Sequence, residues 1–235
     1  MNWTRGALDG DWLVKALITA NVLLFAISLV LSTSAGETSG FLSPGQTSLM
    51  LLGATGTYPI DHFGRLWTVI SANYLHGGII HLIFNLMALK QIAPWASNEY
   101  GTSRMFTIYT LGGVIGYVVS YLAGVPFTIG ASAAVCSLIG ALLYYGKSRG
   151  GAYGSSVYRE VSGWVISLFV FGLIFPGINN WGHGGGIIGG IIIGALIGYN
   201  ERRPENQFDQ ALALLCGLAT VGVLGWAVVR AFIYS

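Results

Sequence analysis

Seven long apolar runs, at about residues 16–31, 75–93, 105–123, 131–145, 161–175, 182–199 and 211–233, constrain the fold of this chain more than any other feature. Each run is nearly continuous rather than alternating. In hydrocarbon every backbone N–H and C=O must be paired within its own segment, so such runs become transmembrane helices. Only 9% of the 235 residues are charged, against about a quarter in a soluble domain, and mean hydropathy is +0.67. The expected fold is all-α, a polytopic membrane helix bundle forming a single domain over residues 1–235, with residues 32–71 as a loop. The first run has Arg5 and Lys15 upstream and Ser34-Ala35-Gly36 beyond it, like a secretory signal. It is longer than a usual signal core and is read as a retained span.

The cations set an orientation. Arg5 and Lys15 precede the first span, and Lys90 and Arg104 fall at the second connection. Lys147, Arg149 and Arg159 fall at the fourth, Arg202 and Arg203 at the sixth. These nine of the eleven Lys and Arg belong to one side, and only Arg65 and Arg230 to the other. The positive-inside rule then places the N-terminus in the cytoplasm and the C-terminus outside. In a bacterial cell the membrane is the inner one; an organelle membrane is the alternative. Net charge is +2 with no basic cluster, so nucleic acid is not an expected partner.

In that orientation the second, fourth and sixth spans run from outside to inside, and each carries polar residues at its outer end. His76, His81 and Asn85 lie early in the second, Ser132 opens the fourth and His183 opens the sixth. Pro126 and Gly130 put a turn before Ser132, which places it at a helix N-terminus where free N–H groups and the dipole favour a developing oxyanion. A serine alone more often bonds a backbone carbonyl, and a histidine in that place also suits a water-facing cap beside Asn179, Asn180 and Trp181. A histidine in an apolar segment, however, is costly and points to function. His81 and Asn85, four apart, share a helix face and offer two donors to one oxygen. His76, five before His81, lies about 140° round the helix and is expected to brace a loop. Inter-helix hydrogen bonding is the alternative for all three. The fourth run spans about 22 Å of a core of ~30 Å, which leaves Ser132 roughly 8 Å below the outer surface, in need of a wet cavity.

Small residues recur every fourth position: Gly182, Gly186, Gly190, Gly194 and Gly198 in the sixth run; Ser132, Cys136 and Gly140 in the fourth; Gly112, Gly116, Ser120 and Gly124 in the third. Such stripes let helix backbones approach closely. Contact between the fourth and sixth spans along them would bring Ser132 to His183.

Three motifs in order resemble the rhomboid family of intramembrane serine proteases: His76-Gly77-Gly78-Ile79-Ile80-His81-Leu82-Ile83-Phe84-Asn85, Gly130-Ala131-Ser132-Ala133, and His183-Gly184-Gly185-Gly186-Ile187-Ile188-Gly189-Gly190. The resemblance runs from Trp67 to Tyr199. It implies a six-helix catalytic core at about 12–200 with a seventh helix appended at about 209–234. It implies Ser132 as nucleophile and His183 as base. An oxyanion hole would be formed by the Ser132 N–H, His81 and Asn85, with His76, Gly130, Gly186 and Gly190 in support. Substrates would be single-pass membrane proteins, cut within the lipid bilayer. Ala133, Cys136, Ser137 and Thr68 depart from the family pattern, where a glycine, an aromatic residue, a glycine and an arginine are usual.

No cofactor or metal is expected. H-E-x-x-H is absent, and His76 and His81 are badly spaced to share a metal from one helix. All nine carboxylates (Asp9, Asp11, Glu37, Asp61, Glu99, Glu160, Glu201, Glu205, Asp209) lie outside the runs or at their edges. An aspartyl mechanism therefore has no membrane aspartates, and the serine site reads as a dyad. Cys136 and Cys216 imply no disulfide framework. Two rivals remain: a rhomboid-like protein that binds transmembrane helices without cutting them, and a small-solute transporter, which would place polar residues through the full depth. Nothing in the sequence sets the oligomeric state.

Overall fold

The computed structural model describes residues 4–34, 36, 37, 40, 42–175 and 177–234, with side chains from residue 12 on. Ala35 of the signal-like tripeptide and the side chains of Arg5, Asp9 and Asp11 lie outside the described residues. Each apolar run forms one long helix: α1 (Thr4–Ser34), α5 (Ile79–Tyr100), α6 (Thr102–Leu122), α7 (Ser132–Arg149), α8 (Gly151–Ile174), α9 (Asn180–Ile197) and α10 (Gln207–Tyr234). Between α1 and α5 lie the short helices α2 (Gln46–Leu51), α3 (Thr57–Phe63) and α4 (Thr68–Ser71), the last continued by a 3₁₀ turn at Ala72–Tyr74. Among the described residues there is no strand, only an isolated antiparallel bridge between Thr55 and Thr128. The molecule is a polytopic bundle of helices.

Six of the seven long helices are long and apolar enough to cross a membrane; α7 is the exception. Its position explains this. It packs against α5, α6, α8 and α9, and every residue from Ala133 to Leu142 is buried. A helix surrounded by other helices meets protein rather than lipid, so Ser137 and Gly140 serve it as well as leucine would. The outward apolar surface is most extensive on α8 and α10, which carry Phe169, Leu173, Leu214 and Val221, and it continues on α1, α5 and α9 with Val30, Phe84 and Leu196.

Helix α9 is wedged between α6 and α7 and presents a glycine row to each. On the α7 side, a Cβ at Gly186 or Gly190 would collide with the carbonyl oxygen of Ala133 or Ser137, and a Cβ at Gly140 with that of Ile187. On the α6 side, Gly185 lies against Val119 and Gly189 against Ile115. Backbone therefore rests on backbone along the seam. Gly124 and Gly198 fall outside these stripes: both follow the end of their helix and face open space. Gly186→Leu should force α9 away from Ala133, at about 1–3 kcal/mol or more for overpacking. A lowered unfolding temperature in detergent is the expected result; wild-type unfolding would mean that the seam takes a large side chain without strain.

Two expectations about the connections need correcting. Helices continue past the apolar runs, because polar residues do not stop a helix. The second connection shrinks to Gly101 and the fourth to Gly150, so Lys90 lies on α5 and Arg159 on α8. Residues 32–71 are only partly loop. Helices of four to seven residues leave too short a periodic signal, and these are held by distant bonds instead. Ser32 Oγ meets Ser48 Oγ at 2.5 Å and accepts from Gly45 N at 2.7 Å. The region is tied to the segment before α7 by Thr55 N to Thr128 O (3.1 Å), Thr128 N to Thr55 O (2.7 Å) and Thr57 N to Val125 O (2.9 Å).

Charges gather by end. At one end Arg149 pairs with Glu201 (2.7 Å), and Arg104 and Arg203 both pair with Asp209 (2.8 Å each). The first turns of α7 and α9 lie at the other end, with the segment carrying Arg65.

Candidate active site

The carbonyls of α7 and α9 bond up their helices, which leaves first-turn N–H groups without intrahelical acceptors. Ser132 is the first residue of α7, and His183 stands in the first turn of α9. Their side chains meet: His183 Nε2 lies 2.8 Å from Ser132 Oγ. Both residues are half-buried, so the pair is reachable. For Nε2 to accept the hydroxyl proton, the ring must carry its own proton on Nδ1. That Nδ1 is buried and has no hydrogen-bond partner among the described residues. Asp61, Glu37 and Glu99 bond Tyr121, Thr47 and Tyr153 respectively, while Glu201 and Asp209 hold arginines and Glu205 holds the Arg104 N–H.

Gly130 shapes the entry to Ser132. Its φ is +128°, which an L side chain rarely adopts, and a Cβ there would stand 2.8 Å from His81 Nε2 and 3.6 Å from Ser132 Oγ. The missing side chain is thus the space in which the His81 ring approaches the serine. His81 Nδ1 accepts weakly from Gly77 N at 3.4 Å, which leaves Nε2 as the nitrogen on the Gly130 side. Asn85 is buried, and its amide donates to the His81 carbonyl at 2.9 Å. One of its two N–H groups is committed to its own helix, leaving the second for a ligand. His76 precedes α5 rather than lying on it, so the 140° argument does not apply. It is fully buried and packs edge-on against the His81 ring at 5.0 Å.

Two positioning roles come from the structure alone, those of Asn179 and Tyr117. Asn179 caps α9, accepting from Gly182 N at 2.9 Å, and donates to Ser120 Oγ (2.7 Å) and Thr128 Oγ1 (2.9 Å). One amide thereby joins the start of the histidine helix to the segment that leads into the serine. An asparagine three residues before a helical glycine run is a legible cap signal, but its other two bonds are not. Tyr117, buried on α6, donates to the Gly130 carbonyl at 2.6 Å and fixes that strained residue.

The departures from the family pattern have local partners. Ser137 Oγ bonds the carbonyls of Ile108 (2.8 Å) and Ala134 (2.7 Å), and the side chain occupies the space over Gly112. The Ala133 methyl packs with Tyr117 and Ala72. Thr68 is buried and joins Thr55 Oγ1 at 2.9 Å. Cys136 lies against Gly186, where a larger side chain would meet α9.

With this geometry in view, comparison with known proteins is decisive on kinship. The family model "Rhomboid domain" matches residues 64–200. The chain belongs to the rhomboid family. It is 33% identical over 161 residues to rhomboid protease GluP of Bacillus subtilis (strain 168), covering 68% of this chain and 32% of that protein. It is 26% identical over 206 residues to RHOMBOID-like protein 4 of Arabidopsis thaliana, covering 79% and 52%. It is also 25% identical over 203 residues to inactive RHOMBOID-like protein 8 of Arabidopsis thaliana, covering 75% and 56%. The matches thus span from about a third to little more than half of these relatives' own lengths. Rhomboid membership and the apolar helices make this an integral, multi-pass membrane protein. The transporter reading has no support from the comparison.

Proposed function

We propose that this rhomboid is an active intramembrane serine endopeptidase that hydrolyses peptide bonds in or near the transmembrane segments of single-pass membrane proteins. The observation that carries the reading is the 2.8 Å approach of Ser132 Oγ to His183 Nε2 at the N-termini of two adjoining helices. His183 takes the hydroxyl proton as Ser132 attacks the carbonyl; the same imidazolium then protonates the leaving amine, and water resolves the acyl-enzyme. The oxyanion would be received by the Ser132 N–H, His81 Nε2–H and the second N–H of Asn85. The direct test is labelling of the purified protein by a serine-directed fluorophosphonate, together with cleavage of reconstituted single-pass substrates. Labelling and cleavage are expected. Failure of both would favour the second reading, a helix-binding protein without activity, which a relative named as inactive keeps in play.

The proposed domain plan is a catalytic core over about 12–200 with α10 appended, and the N-terminus in the cytoplasm. Leu66 is exposed in the first loop and Arg202 at the opposite, cation-rich end. With Cys136 and Cys216 replaced, Leu66→Cys should react with an impermeant maleimide on intact cells and Arg202→Cys only after permeabilisation. The reverse pattern would overturn the orientation and the outward-facing site with it.

A further inference from the structure

Away from the dyad, a groove of about 640 Å³ opens between the C-terminal end of α7 and α8, at the end of the bundle that carries Arg149 and Glu201. Its lining changes character along its length. Lys147, Ser155, Tyr158 and Arg159 form one part, Gly163 and Ile166 the other. Ser162 lies between them, its hydroxyl donated to the Tyr158 carbonyl at 2.6 Å. On α8, Ser155 to Ile166 spans about 16 Å at ~1.5 Å per residue. Arg159 and Glu160 are the last charges before the apolar run that begins at residue 161, so the groove crosses from the polar boundary into hydrocarbon. Neither Lys147 nor Arg159 has a carboxylate partner among the described residues, whereas nearby Arg149 is held by Glu201. Lys147 Nζ instead sits over the Tyr158 ring, 5.7 Å from its centroid. Small residues keep the groove open: a Cβ at Gly163 would meet nothing within 4 Å.

We propose that this groove is a binding site for one anionic phospholipid, its phosphate held by Lys147 and Arg159 with the Ser155 and Tyr158 hydroxyls, and an acyl chain lying over Gly163 and Ile166. Two unpaired cations at the rim fit a phosphate, and the apolar continuation fits the chain that a free phosphate lacks. Basic pockets between membrane helices on the cytoplasmic side are suited to such headgroups. The site does not depend on whether Ser132 cuts peptide bonds.

The test is native mass spectrometry of the full chain in detergent, titrated with phosphatidylglycerol, phosphatidylcholine, or soluble glycerol 3-phosphate as competitor. One phosphatidylglycerol should be retained in preference to phosphatidylcholine, and glycerol 3-phosphate should not displace it. Lys147→Gln with Arg159→Gln should weaken phosphatidylglycerol about tenfold or more. Arg202→Gln, which removes a charge from the same end outside the groove, should change it less than twofold. Gly163→Leu keeps both cations but fills the apolar part, and should also lose the lipid; circular dichroism and thermal unfolding report that each variant is folded. Equal loss in Arg202→Gln, undiminished binding in Gly163→Leu, or full displacement by glycerol 3-phosphate would each overturn the proposal.

Discussion

Ser132→Ala should reduce cleavage of a reconstituted single-pass substrate to background, a loss on the order of 10⁴-fold or more, and should end fluorophosphonate labelling. No other hydroxyl stands within hydrogen-bond distance of His183 Nε2 among the described residues. His183→Ala should fall nearly as far, because an unactivated hydroxyl is a poor nucleophile. Asn85→Ala and His81→Ala should behave differently. Each removes one proposed oxyanion donor while others remain, for a loss of about 10²–10³. Asn85→Ala also removes the side-chain bond to the His81 carbonyl, so a small part of its effect should appear as a lowered unfolding temperature. His76→Ala removes no donor from the serine, and its effect should be mainly on stability through the His81 ring it packs against. Amide substitutions of individual carboxylates should leave activity measurable, since none of those with a described partner is bonded to His183. Persistent cleavage by Ser132→Ala would end the protease reading of this serine, and one amide variant as dead as Ser132→Ala would reveal a third member.

What the sequence made legible follows from the range of the interactions involved. Hydropathy is local, so all seven long helices were visible, including α7, whose burial by its neighbours could not be seen. One glycine row of α9, from Gly182 to Gly198, is visible as a period. The second, Gly185 and Gly189 against α6, emerges only with the partner helices in place, because Gly185 and Gly186 differ only in what they touch. His81 lies on α5 as its position in the apolar run implies, while His76 precedes the helix: hydropathy runs on through the turn at Gly77 and Gly78, which only the Gly-Gly pair marks. The bonds that hold the site together join residues far apart in the chain: Asn179 to Ser120 and Thr128, and Thr55 to Thr128. No local pattern encodes them. The same holds for α2, α3 and α4, which are short helices fixed by packing and by hydroxyl bonds rather than by their own periodicity.

The last long helix, α10, is held at its start by a buried charge cluster, and breaking it should cause a large stability loss. Arg104 and the Asp209 carboxylate are each 1% exposed and lie 2.8 Å apart. Arg104 also donates to the carbonyls of Arg203 and Pro204 at 2.9 Å each, and Asp209 accepts from Arg203 and from Asn206 N. Asp209→Ala leaves the Arg104 guanidinium buried without its counter-charge, which costs about 3–5 kcal/mol where such pairs have been broken. The unfolding temperature in detergent should fall by on the order of 10 °C. Glu201→Ala is the matched control. Its pair with Arg149 is as short, at 2.7 Å, but 30% and 49% exposed, so solvent and salt screen it and the cost should stay below about 1 kcal/mol. Replacing both members, Arg104→Met with Asp209→Leu, removes the stranded charge but strips the Arg203 and Pro204 carbonyls of their donor, so recovery should be partial. Wild-type unfolding for Asp209→Ala would mean that Glu205, already bonded to the Arg104 N–H at 2.9 Å, turns to take the guanidinium. The double variant Asp209→Ala, Glu205→Ala separates the two cases: it should unfold no lower than the sum of the single variants if Asp209 alone balances Arg104, and far lower if Glu205 is the reserve.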